Sequence, residues 1–203
     1  IVRSIFPAKT KDFVTAVDEH SIILVKELKE KESAEEIDRI AKAIEETLNA
    51  ETNSHVYISS GTIVSDLKDV SRSYKEAKMA LEVGKIFENE KYIVNYEKLG
   101  IGRLIYQLPL PLCRMFIKEV LHGLTMDDFD DETLATVNKF FENNLNVSET
   151  SRQLYIHRNT LVYRLDKLQK MTGLDLRNFD DAIIFKITLM VSKYMMYMDK
   201  MAY

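Results

Sequence analysis

Residues 147–173 read VSETSRQLYIHRNTLVYRLDKLQKMTG, and this segment is the most informative about the fold of the C-terminal half of the chain. Its apolar and polar residues fit two short helices joined by a tight turn. In the second helix, Leu161, Leu165 and Leu168 follow the i, i+4, i+7 spacing of one buried face. A polar and basic cluster begins that helix at His157. The pattern predicts a helix-turn-helix whose second helix enters a DNA major groove.

Charge is unevenly distributed along the sequence. The 203 residues carry a formal net charge of −4, so the protein as a whole is no polycation. Between Thr150 and Gly173, five basic residues accompany one acidic residue, an excess of four positive charges that leaves −8 for the remainder. The five are Arg152, Arg158, Arg164, Lys167 and Lys170. We therefore expect nucleic acid to bind at this segment alone.

Composition excludes several classes of protein. The chain is 46% hydrophobic and 30% charged, which suits one large or two small folded domains. Its one cysteine, Cys113, excludes an intrachain disulfide and a cysteine zinc site and fits a reducing cytoplasm. No metal-ligand spacing relates the four histidines, which are His20, His55, His122 and His157. The sequence predicts no metal, no cofactor and no catalytic residue.

The two ends of the sequence bear on targeting and on missing segments. No signal peptide is visible. The most apolar stretch, Ala182–Met198, is interrupted by Lys186 and Lys193, which argues against a membrane span. Because the chain begins at Ile1 rather than Met, we expect a processed or trimmed chain. A small-molecule inducer acting through a missing N-terminal domain is therefore left open.

The first hundred residues predict an α+β domain with a mostly antiparallel sheet. The predicted elements follow the order β-β-α-β-α-β. They are strands at 12–17 and 21–28, a helix at 34–49, a strand at 54–60, a helix at 66–87 and a strand at 92–95. In the second helix we expect an inward face with Leu67, Val70, Tyr74, Ala77 and Leu81, and Val83 is a further candidate for it.

The character of the sequence changes after Gly102. Residues 101–130 predict a helical connector, interrupted by prolines and an acidic run, and residues 131–203 predict an all-helical domain that contains the helix-turn-helix. The last helix, about Asp180 to Asp199, is apolar on nearly all sides. It is expected to complete the core of that domain, with a dimer contact as the alternative.

The chemistry of the side chains predicts their roles on DNA. Arg158 offers a fork for guanine O6 and N7, and His157 or Asn159 could donate to base edges or cap the helix. Phosphate oxygens suit the remaining predicted contacts, which are Ser151, Thr160, Tyr163, Arg164 and Lys167. Ser148 is the expected N-cap of the first helix.

Residues 154–165, LYIHRNTLVYRL, resemble the C-terminal helix-turn-helix of PucR/CdaR-type bacterial regulators. The signature of that family, I-H-R-N-T-L-x-Y-R-L, is matched at every fixed position from Ile156 to Leu165. The resemblance extends to the Fis-type fold, and it implies base contacts near His157 and Arg158. Val162 is apolar where a Fis-type protein carries a basic residue, which puts a phosphate contact there in question.

The same resemblance implies a degenerate GGDEF-like domain in the first hundred residues. Ala16-Val17-Asp18-Glu19-His20 lies where a diguanylate cyclase carries Gly-Gly-Asp-Glu-Phe, and Ser73–Leu81 resembles the family segment S-Y-x-E-A-x-x-A-L. Cβ atoms at positions 16 and 17 would occupy space that glycines leave to a nucleotide. A structural or dimerising role is therefore expected in place of catalysis, with Asp18 as a weak candidate for a relic metal ligand.

These observations together predict a cytoplasmic, sequence-specific DNA-binding transcriptional regulator. One helix-turn-helix buries little surface, so a homodimer on double-stranded DNA is expected. Two alternatives remain at this stage. One is a divergent nucleotide cyclase or nucleotide-binding domain, and the other is a protein-interaction module in which DNA binding is vestigial.

Overall fold

A computed structural model describes residues 2–5, 12–28, 34–52, 55–87 and 92–201. The chain divides into two compact units, Ile1–Arg103 and Leu104–Tyr203. The sequence-based boundaries at residues 100 and 130 remain predictions.

The N-terminal unit is an α+β structure, so the fold class expected from the sequence is confirmed. Its helices and strands are α1 (Val2–Ile5), β1 (Phe13–Ala16), β2 (Ile22–Val25), α2 (Ala34–Thr52), β3 (Ile58–Ser60), α3 (Val70–Phe87), β4 (Ile93–Asn95) and the start of α4 (Gly102–Ile105). A 3-10 turn at Leu67–Asp69 leads into α3.

The described strands form two separate pairs. β1 and β2 are antiparallel, with Phe13 opposite Val25. β3 and β4 are parallel, with Ile58 opposite Ile93. The second pair is parallel because α3 lies between the two strands in sequence and carries the chain back to the end of the sheet from which β3 started. The sequence pattern had suggested a mostly antiparallel sheet and did not anticipate this pairing.

Helix α3 buries only part of the face that its sequence predicted, since Val83 is buried and Val70, Ala77 and Leu81 are half-buried. Leu67 is 89% exposed and Tyr74 is also exposed, so their predicted inward positions were wrong. The buried positions lie in the second half of the helix and are Ala80, Val83, Gly84 and Ile86. A Cβ on Gly84 would lie 2.5 Å from Val94 Cγ2, which shows how closely α3 approaches β4.

A hydrogen-bonded lock joins α3 to the segment after β3. The Ser73 hydroxyl donates to the Thr62 carbonyl oxygen over 2.7 Å. The Glu76 carboxylate accepts from the Thr62 amide over 3.0 Å and also from the Thr62 hydroxyl. A Cβ on Gly61 would lie 1.9 Å from the Ser73 carbonyl oxygen, so only glycine fits there. Ser73 and Glu76, both in the segment resembling the family, therefore fasten the fold.

The described part of the C-terminal unit is helical. Its helices are α5 (Leu110–Val120), α6 (Asp131–Glu142), α7 (Val147–Gln153), α8 (Arg158–Thr172) and α9 (Phe179–Met201), with a 3-10 turn at Met126–Asp128. Their core contains Leu121, Phe129, Val137, Phe140, Leu161, Leu165, Leu168, Leu176 and Phe185.

Helix α9 takes part in this core. Phe185 packs edge-on against Phe129 with ring centroids 5.9 Å apart, and α9 also packs against α5. Val191 and Tyr194 are buried farther along the helix. The expected core role of α9 therefore agrees with its packing. Within the described residues, no helix has the length and apolarity needed to cross a bilayer.

Candidate nucleic-acid interface

Helices α7 and α8 form the helix-turn-helix, and α6 packs against both. The stripe predicted from the sequence is the buried face of α8, because Leu161, Leu165 and Leu168 are at most 1% exposed. The opposite face of α8 is therefore directed away from the core.

The N-cap of the first helix of the motif lies two residues earlier than predicted. Asn146, not Ser148, is the N-cap of α7, and its side-chain oxygen accepts from the Glu149 amide over 3.0 Å. Ser148 is already a helical residue. Asn and Ser are about equally good N-caps, so residue type alone could not choose between them.

The turn between α7 and α8 is a Schellman motif. The Ile156 amide donates to the Ser151 carbonyl oxygen, and the Tyr155 amide donates to the Arg152 carbonyl oxygen. Tyr155 occupies the left-handed position, with φ of 54°, where glycine is usual. Its side chain is 96% exposed, so an aromatic ring stands in solvent directly before α8. Tyr155 is not among the residues that the sequence predicted to contact DNA.

His157 is the N-cap of α8. Its Nδ1 accepts from the Asn159 amide over 3.2 Å. Of the two roles left open for His157, the geometry provides the cap. A ring whose Nδ1 accepts a hydrogen bond carries its proton on Nε2, which is left as a donor.

The beginning and outer face of α8 present polar side chains to solvent. His157, Arg158, Asn159, Thr160 and Tyr163 are all exposed, whereas Val162 is half-buried. These residues were all selected from the sequence apart from Val162, and the structure places them together over the first two turns of one helix. Such a surface can donate and accept hydrogen bonds at the edges of bases and at phosphates.

Two predicted phosphate contacts are engaged within the protein instead. The Arg164 guanidinium donates to Thr136 Oγ1 over 2.9 Å and forms an ion pair with Glu132. Lys167 Nζ lies 2.8 Å from Asp130 Oδ2. Both partners stand at the start of α6, so contact with DNA phosphate would have to displace a carboxylate.

Ser151 also lacks the exposure that a phosphate contact requires. The residue is 7% exposed, and its hydroxyl donates to the Ser148 carbonyl oxygen over 3.0 Å. The phosphate contact at Ser151 stays a sequence-based prediction, without an outward hydroxyl to make it.

In the folded protein, carboxylates neutralise three of the five basic residues counted in the sequence of this segment. Arg152 pairs with Glu149, and Asp166 pairs with Arg177. Arg164 and Lys167 are paired as described above. Across the part of the chain that the structure describes, Arg158 and Lys170 are the two of the five basic residues that form no ion pair. Lys170, exposed on α8, is thus a candidate contact that had entered only the charge count.

The turn between β1 and β2, where the resemblance places the degenerate GGDEF motif, is fastened by its own aspartate. Residues 17–20 form the bend between β1 and β2, and Asp18 Oδ1 accepts from the His20 amide over 2.8 Å. That hydrogen bond lowers the pKa of the Asp18 carboxyl. No three or more His, Cys, Asp or Glu side chains among the described residues are grouped to hold a metal ion. Asp18 therefore acts in the turn itself.

Two protein-family models match separate segments of the chain. The model of the PucR C-terminal helix-turn-helix domain matches residues 133–191, and that of the GGDEF-like domain matches residues 1–83. The chain is 28% identical to the purine catabolism regulatory protein of Bacillus subtilis (strain 168), over 64% of this chain and 25% of that protein. It is 32% identical to the carbohydrate diacid regulator of Escherichia coli (strain K12), over 67% of this chain and 35% of that protein.

A third relative matches over more of the chain. The DNA-binding transcriptional activator AdeR of Bacillus subtilis (strain 168) is 28% identical over 92% of this chain and 44% of its own length. The matched segments thus span less than half of each of these three relatives. With a GGDEF-like domain followed by a PucR C-terminal helix-turn-helix domain, the chain belongs to the PucR/CdaR family.

Proposed function

We propose that this chain is the DNA-binding part of a cytoplasmic, sequence-specific transcriptional regulator. The observation that carries the proposal is the start of α8, where Arg158 pairs with no acid among the described residues and stands among exposed polar side chains, on a helix with a buried leucine stripe. The relatives, which are named as regulators and as a DNA-binding activator, support the same function.

Arg158 is the residue to which we assign base recognition. Its guanidinium can donate in parallel to O6 and N7 of one guanine in the major groove. Asn159 and the Nε2 of His157 are additional donors at base edges, while Thr160 and Tyr163 suit phosphate oxygens. Lys167 and Arg164 would contact the backbone only after leaving their carboxylates on α6.

The regulator is proposed to bind as a homodimer. A single helix-turn-helix buries too little surface for tight specific binding, and two copies would read half-sites separated by about one or two helical turns. A small-molecule inducer acting through a domain outside this chain belongs to the same proposal. For the GGDEF-like domain we propose a structural or dimerising role, supported by the Asp18 turn and by the alanine and valine before it.

Selection of bound duplexes from a random pool is the test of this function. We expect enrichment of a palindrome whose half-site spacing gives the symmetry of the bound protein. A pool that shows no enrichment after repeated rounds would contradict sequence-specific binding. Incubation with GTP and Mg²⁺ is the accompanying test of the N-terminal unit, and a cyclic dinucleotide product would overturn its noncatalytic role.

A further inference from the structure

We propose that Glu132 and Asp130 are built-in counterions that compete with DNA phosphate for Arg164 and Lys167, and so hold down sequence-independent DNA binding. This inference rests on the proposed function, since it requires that α8 approaches DNA. It concerns α6, a helix to which the sequence assigned no part in binding.

The geometry brings acids from a distant segment onto one flank of α8. Glu132 and Asp130 precede their partners by 32 and 37 residues, and both stand in or beside the first turn of α6. Lys167 Nζ is 2.8 Å from Asp130 Oδ2, and Arg164 donates to both Glu132 and Thr136. Of the four basic residues of α8, Arg164 and Lys167 pair with acids of α6, whereas neither Arg158 nor Lys170 forms an ion pair with any described residue.

Exposure shows which member of the Arg164 pair meets an approaching ligand. The side chain of Arg164 is 15% exposed, whereas that of Glu132 is 72% exposed. The outward group at this point is therefore a carboxylate, which repels phosphate until it is displaced. Carboxylate and phosphate use the same charge-assisted hydrogen bonds from arginine and lysine, so one replaces the other at a given donor.

Asp130 remains charged whenever the protein is near neutral pH. Its Oδ1 caps α6 by accepting from the Thr133 amide over 2.6 Å, while Oδ2 accepts from Lys167. The Lys167 hydrogen bond, followed by those from Thr133, holds the pKa of the Asp130 carboxyl well below its usual range. The competition of Asp130 for Lys167 is thus not switched by physiological changes of pH.

The test measures binding to a duplex of random sequence as a function of salt. Glu132→Gln keeps the size and an oxygen acceptor but removes the charge. Asp130→Asn does the same and preserves a good N-cap. We expect each variant to bind the random duplex on the order of threefold to tenfold more tightly at low salt. The slope of log affinity against log salt should steepen by about 0.9 for each cation that gains a phosphate.

Glu142→Gln is the matched control. It removes one negative charge from the same helix, and its partner is Lys139 on α6 itself, not a residue of α8. A gain in affinity or slope no larger than that of this control overturns the proposal. Weaker binding by Glu132→Gln also overturns it, because that result means that the ion pair merely positions α8.

Two further outcomes keep the inference distinct from the proposed function. If the wild type binds neither the random duplex nor selected DNA, the proposed function fails and this inference fails with it. If the wild type binds and the variants match the control, only the inference fails. Thermal unfolding is recorded for each variant, and Asp130→Asn decides the matter should Glu132→Gln fail to fold.

Discussion

Helices α3 and α8 both carry segments that resemble the family, but two polar residues on each helix have opposite surroundings. On α3, Ser73 and Glu76 turn toward the preceding loop and are hydrogen-bonded to Thr62. On α8, Arg158 and Tyr163 are exposed at the protein surface. A signature position can thus mark a fastening within the fold or a surface for a ligand. Whether its polar atoms are satisfied inside the protein distinguishes the two.

The largest effect on stability is expected at Gly61, where the segment after β3 contacts α3. Gly61→Ala would place a Cβ 1.9 Å from a backbone oxygen of α3, and backbone cannot move aside as a side chain does. We expect a loss of about 3 kcal/mol in the free energy of unfolding, measured by urea denaturation. Gly100→Ala is the control, because its Cβ meets nothing within 4 Å and only its φ of +55° is strained. Equal losses in the two variants would contradict the steric reading.

Arg158→Ala should affect DNA binding and leave stability unchanged. Loss of the guanine contact is expected to weaken specific binding by about 1–3 kcal/mol and to relax preference at one base pair. The free energy of unfolding should stay within about 0.5 kcal/mol of wild type. Fluorescence anisotropy on the selected duplex measures the first effect, with the exposed Arg39→Ala on α2 as the control. An unchanged affinity for the selected duplex would show that Arg158 does not contact a base.

Glu76→Ala should show the converse behaviour. The Thr62 amide would lose its acceptor in a partly buried position, which costs about 1–3 kcal/mol of unfolding free energy. Affinity for DNA should remain that of the wild type. Lys75→Ala, at an exposed neighbouring position, controls for changes in the helix surface. If Glu76→Ala lowered DNA affinity and left the free energy of unfolding unchanged, Glu76 would belong to a binding surface and not to the fold.

His157 belongs to both categories, and two substitutions separate them. His157→Ala removes the N-cap of α8 and should cost about 0.5–2 kcal/mol of stability. His157→Asn restores a cap and should recover most of that loss. Both variants lack the imidazole, so a base contact by Nε2 predicts the same reduced DNA affinity in each. Full affinity in His157→Asn would assign the residue to the fold alone.

The smallest effect is expected in the turn. Tyr155→Gly relieves the strain of a left-handed conformation that tyrosine tolerates poorly. The substitution removes no buried contact, because the tyrosine ring is in solvent. Stability should rise by about 0.5–1 kcal/mol. Thermal unfolding measures the change, and Tyr163→Gly serves as a contrast since glycine within a helix is destabilising. A loss of stability in Tyr155→Gly would show that the ring contributes to packing.

Local sequence patterns predicted much of this molecule. The leucine stripe of α8, the β1–β2 hairpin and the core role of α9 were each predicted from one continuous segment of sequence, and each agrees with the structure. The exposed residues at the start of α8 were selected in the same way. In each case the relevant contacts are decided by the periodicity of a helix or strand.

Contacts between distant segments could not be read in this way. The partners of Arg164 and Lys167 lie 28 to 37 residues earlier, so the basic excess counted along the sequence overstated the positive surface. Leu67 fits the periodicity of α3, but β4 packs against the other end of that helix and leaves Leu67 in solvent. Ser151 was selected by residue type, and its burial depends on tertiary packing.

The shared core of the C-terminal unit also sets the size of a minimal DNA-binding fragment. The segment 133–191 that matches the helix-turn-helix family model excludes Leu121 and Phe129, two members of the core, and it ends in the middle of α9. Expressed alone, that segment would leave Phe185 without its aromatic neighbour and would omit buried Tyr194. Dissection of this protein should therefore keep α5 through the end of α9 together, as one autonomous module for titration with DNA.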